Sequence, residues 1–216
     1  MIHGGLDVAM QFSPLFQELE QHFHLFVPDR PGFGLTDKIN YQNINIIEHA
    51  RNFIKHYLDE LNIEKVHVLG NSMGGFWCFV FALAYPERVR NIILLGGAFG
   101  IDKRLPIFLR LLGTPVINKL IFATAAKPSK SGTKTMYKQM GINPEVISDD
   151  YSEYEYLCQM LPGSSVSWKT LAEEVMGLKE CYPKYQIQDK LKEIEQELYL
   201  SKEKKMMLYS YPQLKK

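Results

Sequence analysis

Apolar residues recur along the chain at two different periods, and the alternation between them outlines a fold. From Met10 to Gln21, the residues Phe12, Leu15, Phe16 and Leu19 fall at helical spacing, and Phe23 to Val27 follows as a short apolar run of strand type. That run ends in Pro28-Asp29-Arg30-Pro31-Gly32-Phe33-Gly34, whose prolines and glycines fit only a loop. Ile46 to Leu61 carries Ile47, Ala50, Ile54, Tyr57, Leu58 and Leu61 along one face, the pattern of a surface helix packed on a sheet. Lys65 to Leu69 predicts a second strand, Phe76 to Tyr85 a helix, and Ile92 to Leu95 a third strand after a turn at Pro86 to Arg90. Alternating strands and helices, with strands apolar on both faces, predict an α/β fold with a mostly parallel sheet and helices on both faces.

After Gly100 the rhythm breaks. Leu105 to Ala126 is rich in Leu, Ile and Phe but interrupted by Pro106, Gly113 and Pro115, and Ser129 to Lys134 reads as a polar turn. Helical segments follow around Pro144 to Met160 and Ser165 to Glu180, with no strand between them. The expected organisation is an α/β core over residues 1–100, a helical cap over 101–186 and a divergent helical tail over 187–216. The Leu105–Ala126 run has a second reading as a membrane-surface segment, against which Arg104, Arg110 and Lys119 do not segregate to one face.

Composition narrows the function classes. The chain has 216 residues, 46% hydrophobic and 23% charged, an ordinary globular balance, and a formal net charge of +1 gives no electrostatic reason to expect nucleic acid. The three cysteines, Cys78, Cys158 and Cys181, are odd in number and widely spaced, and read as reduced thiols in a cytoplasmic-type protein. No basic segment followed by an apolar core opens the chain, and no uninterrupted apolar run of about 18 residues occurs, so neither a signal peptide nor stable membrane insertion is expected. The opening Met1-Ile2-His3-Gly4-Gly5 leaves room for an absent upstream segment, and for targeting information within it.

The densest chemistry lies at Val68-Leu69-Gly70-Asn71-Ser72-Met73-Gly74-Gly75, a G-x-S-x-G pattern at the junction of a strand and a helix. Such a turn is so tight that the positions two before and two after the serine must be small, and Gly70 and Gly74 meet that demand. Ser72 is the candidate nucleophile, with the N-terminus of the next helix placed to favour negative charge on an attacked carbonyl. All six histidines, His3, His22, His24, His49, His56 and His67, precede Ser72, whereas the general base of this arrangement follows it.

Four stretches in this order and spacing carry a family resemblance: His3-Gly4-Gly5, Asp29-Arg30-Pro31-Gly32-Phe33-Gly34-Leu35-Thr36-Asp37, Gly70 to Gly75, and Tyr85-Pro86-Glu87-Arg88-Val89. Together they resemble the α/β-hydrolase superfamily with a helical cap. The elbow is similar to that of meta-cleavage-product hydrolases, which cut carbon–carbon bonds, and of related carboxylesterases. The resemblance implies an oxyanion hole from the backbone N–H groups of Gly5 and Met73, with Gly4 and Phe33 near the substrate. A serine at position 72 argues against haloalkane dehalogenase and epoxide hydrolase chemistry. The family pattern also places two strands and most of a third before His3, an acid-bearing strand after the cap, and a final Gly-His. Lys190 to Lys216 shows neither of the last two, so the core is expected to be incomplete at both ends, with the acid-bearing strand deleted or replaced by a frameshifted tail.

Other residues carry weaker readings. Asp102 matches an alternative position of the triad acid in some relatives, against the plainer reading of an exposed loop aspartate. His3 is expected to shape the oxyanion loop rather than act as base, His67 to point into the sheet, and His22-x-His24 to lack the companions of a metal site. Asp29 and Arg30 are expected to fix loop geometry, and Asp149, Asp150, Glu153 and Glu155 to form a solvated helix start. Trp168, Phe108, Leu112 and Tyr154 fit either the underside of the cap or plain core. No cofactor or metal is expected. Two functions stand open: a serine hydrolase acting on a small apolar ester-like substrate or a vinylogous diketone, and a non-catalytic remnant or binding module. An incomplete sheet also predicts self-association through exposed edges.

Overall fold

The computed structural model describes residues 1–5, 7–101, 105–124, 128–139 and 143–201. Among the described residues, three parallel strands, β1 (Val66–Ser72), β2 (Val89–Ala98) and β3 (Glu197–Ser201), form one sheet in the order β1-β2-β3. Their register aligns Val68 with Ile92 and Leu198, and Gly70 with Leu94 and Leu200, so these residues form one buried face. The opposite row, Leu69, Ile93 and Tyr199, is half-buried, so the strands are covered more completely on one side than their composition predicts.

The first helix, α1 (Ser13–Leu19), follows a 3₁₀ turn at Ala9–Phe12. Helix α2 (Ile46–Glu60) begins at Asn45, whose side chain accepts the Glu48 N–H, and buries Ile46, Ala50, Ile54 and Leu58 at helical spacing. It packs on α3 (Met73–Ala84), which lies directly against β1 and β2. Met73 to Ala82 are all buried, as expected of a helix that is apolar on every side. Pro86 follows α3 and cannot continue it.

Among the described residues, the segment between β2 and β3 holds the α-helices α4 (Ile107–Leu112), α5 (Pro115–Ala123), α6 (Lys130–Gln139), α7 (Asp149–Met160) and α8 (Ser164–Val175). The breakers Gly113 and Pro115 divide the long apolar run into α4 and α5, as their chemistry predicts. The residues expected to form a polar turn begin α6 instead. Their local preference is overridden because Thr133 and Tyr137, one turn apart, are buried. No described helix is long and apolar enough to cross a membrane.

Two strand expectations are corrected. Phe23 to Val27 forms no regular element and pairs with no strand among the described residues. Met1, whose amino group donates to Phe26 O at 2.5 Å, and Ile2, which makes a single parallel bridge to Gly70, connect its backbone to β1. It borders an open groove of ≈ 820 Å³ lined by Met10, Phe16, Phe23 and Leu25. His67, expected to point inward, is exposed with its ring edge-on to Phe23 at 5.7 Å. At the other end, Glu197–Ser201, expected within a helical tail, is β3. Leu198 and Leu200 are buried against β2, and three glutamates at 193, 195 and 197 obscured so short an apolar alternation. Within the same expected tail Gln188–Glu193 forms a 3₁₀ helix, and residues 202–216 lie outside the described residues. Truncating the buried Leu198 to alanine should cost about 2–5 kcal/mol in urea unfolding; an unchanged midpoint would show that β3 is not part of the cooperative core.

Candidate active site

Ser72 ends β1 with φ 48° and ψ −111°, a conformation that side-chain-bearing residues rarely adopt. The two other non-glycine residues with positive φ among the described residues are Asn43 and Asn62, a residue type that tolerates it. The neighbours explain how the turn is held. A Cβ on Gly70 would sit 2.5 Å from the Gly74 carbonyl carbon, and one on Gly74 would sit 2.0 Å from Ile2 O. Strand, helix and the Ile2 backbone thus approach to distances only glycine permits. Ser72 is exposed, at the N-terminus of α3, and its hydroxyl has no hydrogen-bond partner among the described residues. The N–H groups that open a helix have no intrahelical acceptor, and Met73 is the first residue of α3.

The loop carrying Gly4 and Gly5 stands over this turn. A Cβ on Gly5 would lie 3.6 Å from Met73 Cβ, so the two backbones expected to supply the oxyanion donors are brought together. Gly4 is committed elsewhere: its N–H donates to Gln11 Oε1 at 2.9 Å, and a Cβ there would strike Asn71 Oδ1 at 2.6 Å.

Arg30 and His3 hold the loop from below. Arg30, fully buried, donates through Nη2 to Gly4 O at 2.7 Å and Gly5 O at 3.2 Å, while its guanidinium lies 4.3 Å from the Phe33 ring centroid and 5.2 Å from that of Trp77. Burial lowers its pKa to about 10, which leaves it charged at neutral pH. The His3 Nε2 accepts the Arg30 N–H at 2.8 Å, so Nδ1 carries the proton and donates to Gly4 O at 3.0 Å. Burial, and then the Arg30 charge, push its pKa well below the usual histidine range. A neutral imidazole with both nitrogens occupied has no lone pair free to take a proton, and its bonds tie the Gly4 and Arg30 backbones together. Asp29 completes the frame by accepting the Ala9 N–H at 2.7 Å and the Leu35 N–H at 3.1 Å.

Phe33 is buried, edge-on to His3 and to Trp168 of α8, and with Trp168 it lines a cavity of ≈ 20 Å³, room for about one water. Leu112 is part of the same core. His49 sits between Tyr41 and Trp77, His24 stacks on Phe26, and His22 and His56 are exposed. Asp102 lies outside the described residues. Among the described residues no cluster of three His, Cys, Asp or Glu side chains is placed to hold a metal.

The carboxylate run is not uniformly solvated as expected. Asp149 and Glu153 are exposed and pair with Lys134 and Lys130, but Glu155 is buried, one turn beyond Tyr151 on the inward face of α7. Sequence reading also passed over Asp7, buried two residues beyond Gly5 and bonded to the hydroxyls of Tyr137 and Tyr151. No local motif marks it, because its partners lie more than a hundred residues away. Burial, and then Asp7, raise the Glu155 pKa from 4.5 to about 8.

With the strand, the tight turn at Ser72 and the Gly4–Gly5 loop in place, the comparisons are specific. The family described as alpha/beta hydrolase fold matches residues 1–118, and the chain belongs to that family. A 2-hydroxy-6-oxo-6-phenylhexa-2,4-dienoate hydrolase of Burkholderia cepacia is 32% identical over 155 residues, covering 69% of this chain and 52% of the relative. A 2-hydroxy-6-oxononadienedioate/2-hydroxy-6-oxononatrienedioate hydrolase of Comamonas testosteroni is 32% identical over 154 residues, with the same coverage. The chain spans about half the length of these curated relatives. Among solved structures, a meta-cleavage product hydrolase of Pseudomonas fluorescens superposes with a TM-score of 0.68 at 22% identity, covering 92% of this chain and 69% of that one. That likeness bears on the fold.

Two outcomes follow. Gly74→Ala drives a methyl group into the Ile2 carbonyl and should destabilise the chain by about 3 kcal/mol, as measured by denaturant unfolding, whereas alanine at the partly open Gly5 should cost under about 1 kcal/mol. For Glu155, the folded state keeps a proton that the unfolded chain releases near pH 4.5, so its contribution is full below about 4.5 and lost as pH rises through about 8. The stability of Glu155→Gln minus wild type should therefore rise with pH between 5 and 8, by up to about 1.4 kcal/mol per unit; a flat difference would show that Glu155 ionises normally.

Proposed function

We propose that the site is an acyl-transfer site in which Ser72 is the nucleophile and the N–H groups of Gly5 and Met73 receive the oxyanion. The single observation that carries this is the Ser72 backbone, held at φ 48° with its hydroxyl exposed beside the facing Gly5 and Met73 backbones. Ser72 Oγ adds to a carbonyl carbon, its proton passing to solvent. Collapse of the tetrahedral intermediate expels the leaving group, and water then releases the acyl part. The substrate class is a small, apolar carboxylic ester or a carbon–carbon bond next to a ketone. The two curated relatives named above, hydrolases of oxo-dienoates by name, support the second. Gly4 and Phe33 support substrate contact less well, since the Gly4 N–H is used and Phe33 is packed among His3, Arg30 and Trp168.

A second function, binding without turnover, is favoured by one specific observation: both His3 nitrogens are occupied and the Ser72 hydroxyl has no base among the described residues. A serine without its imidazole retains roughly 10³–10⁴-fold acceleration over water from the oxyanion hole and binding. We therefore place this chain at slow acylation. Phe23–Val27 and the outer edge of β3, which have no strand partner among the described residues, also support self-association through sheet edges.

Labelling with a fluorophosphonate, in which Ser72 Oγ displaces fluoride from phosphorus, tests the assignment. We expect one adduct per chain, mapped to Ser72 by mass spectrometry and absent from Ser72→Ala, together with p-nitrophenyl ester hydrolysis at least 10³-fold below that of a complete triad enzyme. A folded chain that never labels would overturn the nucleophile assignment.

A further inference from the structure

The loop that carries Gly5 is held from above as well as from below. Its carbonyls are fixed by Arg30 and its Ala9 N–H by Asp29, both from the Asp29–Gly34 loop of the core. Asp7 reaches the other way. Its Oδ2 accepts from the Tyr137 hydroxyl of α6 and its Oδ1 from the Tyr151 hydroxyl of α7, the two phenols are 3.1 Å apart, and Oδ1 also accepts the Val8 N–H at 2.9 Å.

This is an unusual way to close a core. Asp7 is 8% exposed, and no lysine or arginine is within ion-pair distance of it among the described residues. Burial of a carboxylate is costly unless its oxygens are satisfied, and an apolar trio would join the same surfaces at no such cost. What the carboxylate adds is geometry. Two O–H donors from separate helices fix both of its oxygens, and hence the backbone two residues beyond Gly5. The geometry points to Asp7, Tyr137 and Tyr151 as a latch by which the α6–α7 pair sets the position of the Gly5 N–H, so that Asp7 is a positioning residue for oxyanion binding. The link to catalysis rests on the acyl-transfer assignment above; the latch itself does not.

The latch predicts that loop order depends on the two phenols. A second set of stitches joins the cap to a different part of the core: Ser167 Oγ accepts the Ile39 N–H at 3.0 Å and Thr170 Oγ1 the Tyr41 N–H at 2.9 Å. The α8 contacts therefore keep that helix docked when the latch is broken, and the effect should stay local.

The test is hydrogen–deuterium exchange of the full 216-residue chain in wild type, Asp7→Ala, the Tyr137→Phe/Tyr151→Phe pair, and all three substitutions combined. Amides of residues 4–9 should exchange about 10-fold faster in Asp7→Ala and in the tyrosine pair, with no further gain in the combination, while β1 and α3 keep wild-type protection. Asp7→Asn, which retains one acceptor oxygen, should recover part of the loss. Loop exchange within twofold of wild type in a folded Asp7→Ala chain, or additive effects in the combination, would overturn the latch. If Asp7→Ala does not fold, Tyr151→Phe decides by the same tenfold and twofold limits. Fluorophosphonate labelling separates the two assignments. Faster loop exchange with about 10-fold slower Ser72 labelling supports latch and oxyanion role together. Faster loop exchange with unchanged labelling keeps the latch and overturns its positioning role. A wild-type chain that does not label removes the acyl-transfer assignment, and with it the positioning role.

Discussion

The close approach of three backbones, at Gly70, Gly74 and Ile2, is the constraint on which the rest of the site depends. Each glycine stands where a single added carbon would fall 2.0–2.5 Å from a neighbouring backbone atom. Strand β1 can therefore turn into α3 within one residue, and that residue, Ser72, takes the positive φ. The strain of such a turn is of order 1–3 kcal/mol. It is offset by α3, buried almost end to end with Phe76, Trp77, Phe79 and Phe81 fully enclosed, whose packing fixes the direction in which the chain must leave β1.

Electrostatics then decides what the strained serine faces. Beneath the Gly4–Gly5 loop Arg30 is fully buried, and its hydrogen bonds go to the Gly4 and Gly5 carbonyls. Those bonds turn the carbonyls inward, toward the core. His3 is kept neutral by burial and by the same Arg30 charge, so acid that forces a proton onto it works against the loop. Glu155 pulls the opposite way with pH, since burial favours its protonated form.

Much of this was legible in the sequence, and the remainder was hidden for identifiable reasons. The G-x-S-x-G pattern located the elbow because steric demand admits few residues at Gly70 and Gly74, and the face of α2 showed in the spacing of Ala50, Ile54 and Leu58. His3 and the Asp29–Arg30 pair were read as loop-shaping residues, and their bonds agree. β3 escaped because five residues flanked by glutamates carry little periodicity, and the parallel partner that makes them a strand lies about a hundred positions upstream. Helix α6 escaped because Ser131, Gly132 and Thr133 have weak helix preference, overridden by the burial of Thr133 and Tyr137. Asp7 and Glu155 could not be found at all from local pattern, since a carboxylate's burial depends on which distant helices cover it. His67 failed the other way: the sheet face it was expected to occupy is left open beside Phe23.

The central claim is that Ser72, Gly5 and Met73 form one preorganised acyl-transfer site. Its most direct test is a crystal structure of the chain carrying a phosphonate adduct. The account predicts phosphorus bonded to Ser72 Oγ and a phosphonyl oxygen about 2.7–3.1 Å from both the Gly5 and Met73 nitrogens. An adduct whose oxygens all face solvent, or one attached to another residue, would contradict it.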